Sequence, residues 1–193
     1  MIEKIPGILH ILQENMIGTK VPAKNDGVAG KFIEQEAGKY LALQNGKGPD
    51  YEKLGIELKS RDIDSTSALT FGVMPCKTII TKEYADTHLC RKMQQLIYFF
   101  TQNNYIKSIK HYDFSSHWIQ KIIKESYDYG KKQIISGNTN LYIPPDGNYF
   151  YFEDTAKNNQ YQFRISKYNF TKITSMSKQS AQFDNLFEER IAI

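Results

Sequence analysis

The chain has 193 residues, enough to bury one core, and its 40% hydrophobic and 24% charged content is ordinary globular composition that excludes intrinsic disorder. Lysine and arginine total 25 against 21 acids, an excess of +4 that is too small to identify a nucleic-acid binder by itself. Two cysteines without metal-type spacing exclude a disulfide scaffold; no basic segment leads into an apolar one at the start, and no apolar run approaches the ~20 residues of a membrane span, so the expectation is a cytoplasmic protein forming one domain over 1–193.

Taken in order, Ile2, Ile5, Ile8, Leu9, Ile11 and Leu12 predict an amphipathic helix in the first 20 residues, interrupted near its start by Pro6-Gly7. A polar loop from Lys20 to Gly27 follows, with Asp26 placed to cap a second helix from Val28 to Leu43. Its apolar positions Val28, Phe32, Ile33, Ala37, Tyr40 and Leu41 recur at helical spacing, and Gln44 to Pro49 ends it in a turn.

Alternation of Ile56 and Leu58 with Glu57 and Lys59 predicts a strand from Gly55 to Arg61, and Ala68 to Val73 a second that Pro75 closes. Thr81 to Met93 fits a short helix. Gln95–Phe100 and Tyr105–Tyr112 predict a hairpin turning at Gln102-Asn103-Asn104. Ser115 and Ser116 can cap a helix to about Ile134, Tyr149–Glu153 and Tyr161–Ser166 read as a second hairpin, and Gln182–Ile193 as a helical tail. This order predicts an α/β fold, a central mixed β-sheet flanked by helices.

The chemistry-bearing group lies in Pro49-Asp50 and Glu57-Leu58-Lys59. Two apart on a strand, Glu57 and Lys59 share one face, with Cα atoms ~6–7 Å apart. Asp50 can return to the same end if the intervening residues bend. Two carboxylates can hold a hard divalent cation through oxygen, magnesium retaining several of its waters. A lysine beside them can position an attacking water and offset charge on a scissile phosphate. An acid-x-lysine pair alone is equally a solvent-facing pair on a half-buried strand.

Pro49-Asp50 with Glu57-Leu58-Lys59 resembles the PD-(D/E)xK nuclease superfamily, and Leu54-Gly55-Ile56 before the acid is more narrowly similar to its MutH-like restriction endonuclease branch. Gly30-Lys31-Phe32-Ile33-Glu34 is similar to that branch's Gly-x-x-x-Glu helix. The resemblance covers about Gly27 to Val73, and departs by one or two residues in the spacing from helix glutamate to Asp50. It implies a restriction-endonuclease-like fold and a Mg²⁺-dependent DNA endonuclease with Asp50, Glu57, Lys59 and Glu34 in its active site, Asp50 and Glu57 holding the metal. Glu36 rivals Glu34 on the same helix, and periodicity does not choose between them.

The implied partner is double-stranded DNA, and the short chain leaves little room for a recognition domain. It would therefore act as a homodimeric type II restriction enzyme or as the small cleavage subunit beside a larger DNA-recognition subunit. The alternatives are a strand-nicking repair endonuclease and a non-catalytic DNA-binding module. The excess of lysines from Lys107 to Lys132 reads either as phosphate contacts or as a solvated helix face. Gln160, Gln162 and Arg164 are candidates for groove readout. His88, His111 and His117 make no metal-ligand pattern, Asp62 and Asp64 read as turn residues, and Gly46-Lys47-Gly48-Pro49 lacks the features of a phosphate loop.

Overall fold

The computed structural model describes residues 4–22, 28–41, 55–138, 149–156 and 159–175. It is α/β, with helices packed on two three-stranded sheets, one mixed and one antiparallel. The backbone divides into two compact units, Met1–Ser65 with Arg91–Asp113 and Thr66–Cys90 with Phe114–Ile193.

The first unit holds α1 (Lys4–Met16), α2 (Val28–Leu41), β1 (Ile56–Asp62), β3 (Gln95–Gln102) and β4 (Tyr105–Asp113). Strand order is β1-β3-β4, with β1 parallel to β3 and β4 antiparallel to it. Parallel neighbours need a long connection. Here it includes β2 (Leu69–Pro75), α3 (Cys76–Thr81), a 3₁₀ turn at Tyr84–Asp86 and α4 (His88–Lys92).

The β3–β4 hairpin turns through Asn103 and Asn104, both left-handed at φ 52° and 62°, the backbone that a two-residue primed turn requires and that asparagine tolerates. A register shift opposite Phe100 and Thr101 leaves Lys107 as the extra residue on β4. One face of this sheet forms the core. Ile56 and Leu58 of β1, Ile97 and Phe99 of β3 and Ile109 of β4 close against Leu12 and Met16 of α1 and Ile33 and Ala37 of α2. At ~25 cal/mol per Å² of apolar surface removed from water, each of the larger side chains, Ala37 excepted, stabilises the fold by about 1.5–3 kcal/mol. The i, i+4 pair Ile33 and Ala37 thus fixes which side of α2 meets β1.

The second unit is an antiparallel sheet ordered β2-β6-β5, with β5 at Phe150–Asp154, β6 at Gln160–Ile165 and α5 at His117–Ile135. Its core is aromatic. Phe150 stacks on Phe163 at 5.4 Å, and Tyr127 of α5 meets Phe152 edge-on at 5.5 Å. Tyr127 also donates from its hydroxyl to the Ile79 and Lys82 carbonyls, tying α5 to the segment after β2. Residues 167–175 are helical.

The helix expected over Thr81–Met93 is two short helices and a 3₁₀ turn, the first beginning earlier, at Cys76. Pro75 occupies its N-cap without a side-chain bond, and the Cys76 N–H is instead satisfied by the Asn159 carbonyl at 2.9 Å. No local capping signal exists there to be read. The expected tail helix at Gln182–Ile193 and the turn from Gln44 to Pro49 lie outside the described residues.

Candidate active site

Strand alternation sorts β1 into two sets. Ile56 and Leu58 enter the core with α2, and Ser60 lies on the same side, its Oγ 3.9 Å from where a Cβ on Gly30 would stand. Glu57, Lys59 and Arg61 are therefore on the opposite face. Their register partners on β3 are Leu96, Tyr98 and Phe100, and Tyr98 in turn pairs with Lys110 of β4. Tyr98, Phe100 and Tyr112 form an aromatic floor, with centroid separations of 5.8 Å from Tyr98 to each of the others.

Glu57 is 1% exposed, a carboxylate almost wholly removed from water. Such a group is costly to bury without compensation. Two ammonium groups compensate it. Lys59 Nζ donates to Oε1 at 2.5 Å, and Lys92 Nζ to Oε1 and Oε2 at 3.0 and 3.1 Å. Among the described residues, this one carboxylate is therefore shared by two ammonium groups. Both lysines keep part of their side chains in solvent, at 24% and 22% exposure.

Burial pushes the Tyr98 phenol well above its ordinary range, only partly opposed by the nearby Arg61 charge. Tyr98 therefore stays neutral near the site and cannot serve as a general base at physiological pH. Burial also lowers the Arg61 pKa, although the guanidinium stays charged, and its Nη2 donates to the Ser65 carbonyl at 2.8 Å.

Of the four sequence-predicted site residues, Glu57 and Lys59 are brought into direct contact. Asp50 lies outside the described residues. Glu34 is half-buried on α2, in the stripe with Gly30, Ile33 and Ala37, on the helix that packs on the core side of β1. Among the described residues β1 pairs with β3 alone, which leaves its other edge as the route from α2 to the Glu57 face. Its rival Glu36 is bonded to Lys39 of its own helix at 2.5 Å. Lys92 had no local sequence signal. It gains its position from the parallel pairing that sets Gln95, three residues further on, opposite Ile56.

The other candidates separate clearly. Lys121, Lys124 and Lys131 pair with Glu125, Asp128 and Glu83, which is the solvated-face arrangement. Arg164 forms an ion pair with Glu153 and donates to the Ala68 carbonyl, while Gln162 accepts from Thr70. Asp62 accepts from the Asp64 N–H, as a turn residue does. His111 contacts Gln95 Oε1 through Nε2 at 2.6 Å, and Gln95 Nε2 donates to Asp113. Among the described residues no three His, Cys, Asp or Glu side chains are grouped to hold a metal, and no helix is long and apolar enough to cross a membrane.

Residues 40–133 match the family model described as DNA mismatch repair enzyme MutH, a DNA endonuclease family of the restriction-endonuclease-like, PD-(D/E)xK class. No curated protein matches the chain. The matched span, a little under half of the chain, contains Asp50, Glu57 and Lys59 together with Lys92; over it the chain is similar to the MutH family, and its α/β fold is consistent with the restriction-endonuclease-like class.

Proposed function

We propose that this chain is a magnesium-dependent endonuclease of double-stranded DNA, acting in a restriction system, with Asp50, Glu57 and Lys59 as its catalytic residues and Glu34 completing the site from α2. The observation that carries the reading is the buried Glu57 carboxylate held by Lys59 and Lys92 on one sheet face. An acid this buried and this positively surrounded is an expensive structural element and an apt phosphate-hydrolysing one.

The donor chemistry fits a hard cation. Glu57 offers two carboxylate oxygens, and Asp50 would supply the second carboxylate from just upstream. A bound magnesium would lower the pKa of a ligated water and offset charge on the phosphate. Lys59 orients the attacking water and then faces the charge that develops on the phosphoryl oxygens. Water oxygen bonds to phosphorus, the P–O3′ bond breaks, and the products are a 5′-phosphate and a 3′-hydroxyl. Lys92 would hold Glu57 in place and balance its charge.

A single site of this kind cuts one strand per encounter. Two-strand cutting needs two sites, from a second copy or a larger recognition subunit. The matched family, a DNA mismatch repair enzyme, favours a second reading in which single-strand nicking is itself the activity. Supercoiled plasmid incubated with the protein and magnesium distinguishes them. Linear fragments of discrete size indicate a self-sufficient restriction enzyme, and nicked circles a nickase or half-enzyme. Chelator and Asp50→Ala should each abolish cutting; undiminished cutting by Asp50→Ala overturns the site.

A further inference from the structure

The row of side chains that holds the site does not stop at Lys59. Arg61 is next on the same face, two residues along β1, and side chains so spaced stand ~6–7 Å apart. That is the scale of the step between successive phosphates on one DNA strand. Beside Arg61 across the parallel pair lies Phe100, and Lys110 of β4 sets its Nζ 5.6 Å from the centre of that ring. Lys110 is the register partner of Tyr98, so its ammonium leans diagonally along the sheet, toward the Arg61 end.

Two cations therefore flank one aromatic ring, one strand step beyond the Glu57–Lys59 pair. The Ser65 carbonyl accepts from Arg61 Nη2 and fixes the orientation of the guanidinium plane. A guanidinium has five donors in a rigid fork and can serve a backbone carbonyl and a phosphate together. The neighbouring acid, Asp62, accepts the Asp64 N–H, and its charge also acts on Arg61, raising the guanidinium pKa against the effect of burial.

We propose that Arg61 and Lys110 form a phosphate subsite for the backbone phosphate adjacent to the scissile one, making them positioning residues that set the strand's register over Glu57 and Lys59. The subsite rests on the endonuclease reading above, since it takes the same strand as its ligand. It predicts that DNA enters along β1, its backbone following the Glu57–Lys59–Arg61 row, and that the Phe100 ring forms the apolar floor between the two cations.

The test measures binding of a short duplex DNA by the full chain in calcium across a salt series, with cleavage kinetics in magnesium alongside. Each phosphate contact contributes about 0.9 to the slope of log K against log salt. Arg61→Ala and Lys110→Ala should each lower that slope by about one contact, and raise KM several-fold with the loss concentrated there rather than in kcat. Arg61→Lys, which retains the charge, should restore most of the slope; it also covers the case in which loss of the Ser65 bond impairs folding of Arg61→Ala. Lys121→Ala, an exposed and paired lysine on α5, is the control for general charge and should leave the slope unchanged. An unchanged slope in Arg61→Ala and Lys110→Ala, or an equal drop in Lys121→Ala, overturns the subsite while wild-type cleavage still stands. A wild-type chain that neither binds nor cuts DNA overturns the endonuclease reading and the subsite together.

Discussion

Each of the two sheets carries a glutamate paired with cations, and the pairs differ in a way that separates chemistry from architecture. Glu153 of β5 faces Arg164 of the adjacent β6, one acid to one base, both partly exposed, on a sheet whose stability comes from stacked phenylalanines. Glu57 faces two lysines at 1% exposure, and the second lysine comes from outside the sheet. A neutral pair at a sheet surface is complete in itself. A buried acid bonded to two cations is held by more charge than simple pairing requires, a difference that the metal-binding role proposed above would explain.

The largest expected effect breaks this symmetry directly. Glu57→Gln keeps the shape but removes the charge that both lysines share, and should lower kcat/KM for plasmid cleavage by about 10³-fold or more, the scale of losing a group that acts in the transition state. Glu153→Gln should change cleavage less than about twofold, its cost falling on stability by about 1 kcal/mol. Equal losses in the two variants would mean that the buried glutamate is only structural.

Lys92→Met sharpens the same contrast within the site. It replaces the ammonium with an apolar chain one atom shorter and leaves Glu57, among the described residues, with Lys59, so a carboxylate that costs several kcal/mol to bury is less compensated. Cleavage at saturating magnesium should fall by about 10–100-fold, with half-saturation reached at lower magnesium because no second ammonium competes for Glu57. A rise in the magnesium requirement would show instead that Lys92 helps to assemble the metal site.

How much of this was legible in the sequence follows from whether the signal was local. Glu57 and Lys59 could be placed on one face because a strand alternates with period two, and Ile56 and Leu58 marked the buried side. The Asn103-Asn104 turn was legible because left-handed backbone selects asparagine. Lys92 was not, since its role depends on β1 and β3 running parallel across a long connection that hydropathy does not specify. The lysines from Lys107 to Lys132 read equally as phosphate contacts or as a solvated helix face; on α5, Lys121 and Lys124 pair with the i, i+4 acids Glu125 and Asp128, and Lys131 with Glu83. The strands read as one mixed sheet divide into a mixed and an antiparallel one, a matter of pairing partners rather than of strand propensity. The α3 start was hidden because its first N–H is satisfied by Asn159, 83 positions away in the chain.

In the second unit the decisive feature is packing, and Gly130 tests it. A Cβ there would stand 2.5 Å from Cδ2 of Phe152, so α5 approaches β5 closely only because position 130 has no side chain. Gly130→Ala gains helix propensity of up to about 1 kcal/mol but must displace a ring packed among Tyr127, Phe163 and Tyr161. The net expectation is a loss of about 1–2 kcal/mol, read as a lower urea midpoint with an unchanged m-value. A stabilised variant would mean that Phe152 has room to turn.

The smallest effect separates a half-buried histidine from the charged cluster around Glu57. Burial lowers the His111 pKa, opposed by the Asp113 charge, so the imidazole is held neutral, with Nε2–H donating to Gln95 Oε1. A histidine whose folded pKa lies below its unfolded value of ~6.5 binds fewer protons when folded. In the window between the two values the unfolded chain takes up more protons, and stability must rise with pH. On acidification, His111 therefore costs stability from about pH 6.5 downward, with the full penalty reached below its folded pKa. His111→Gln should flatten the stability–pH slope just below pH 6.5 without shifting the pH dependence of cleavage. If the cleavage profile moves instead, the polar cluster at the core end of β3 and β4 communicates with the Glu57 face, and the division between the two faces of this sheet is less complete than its packing implies.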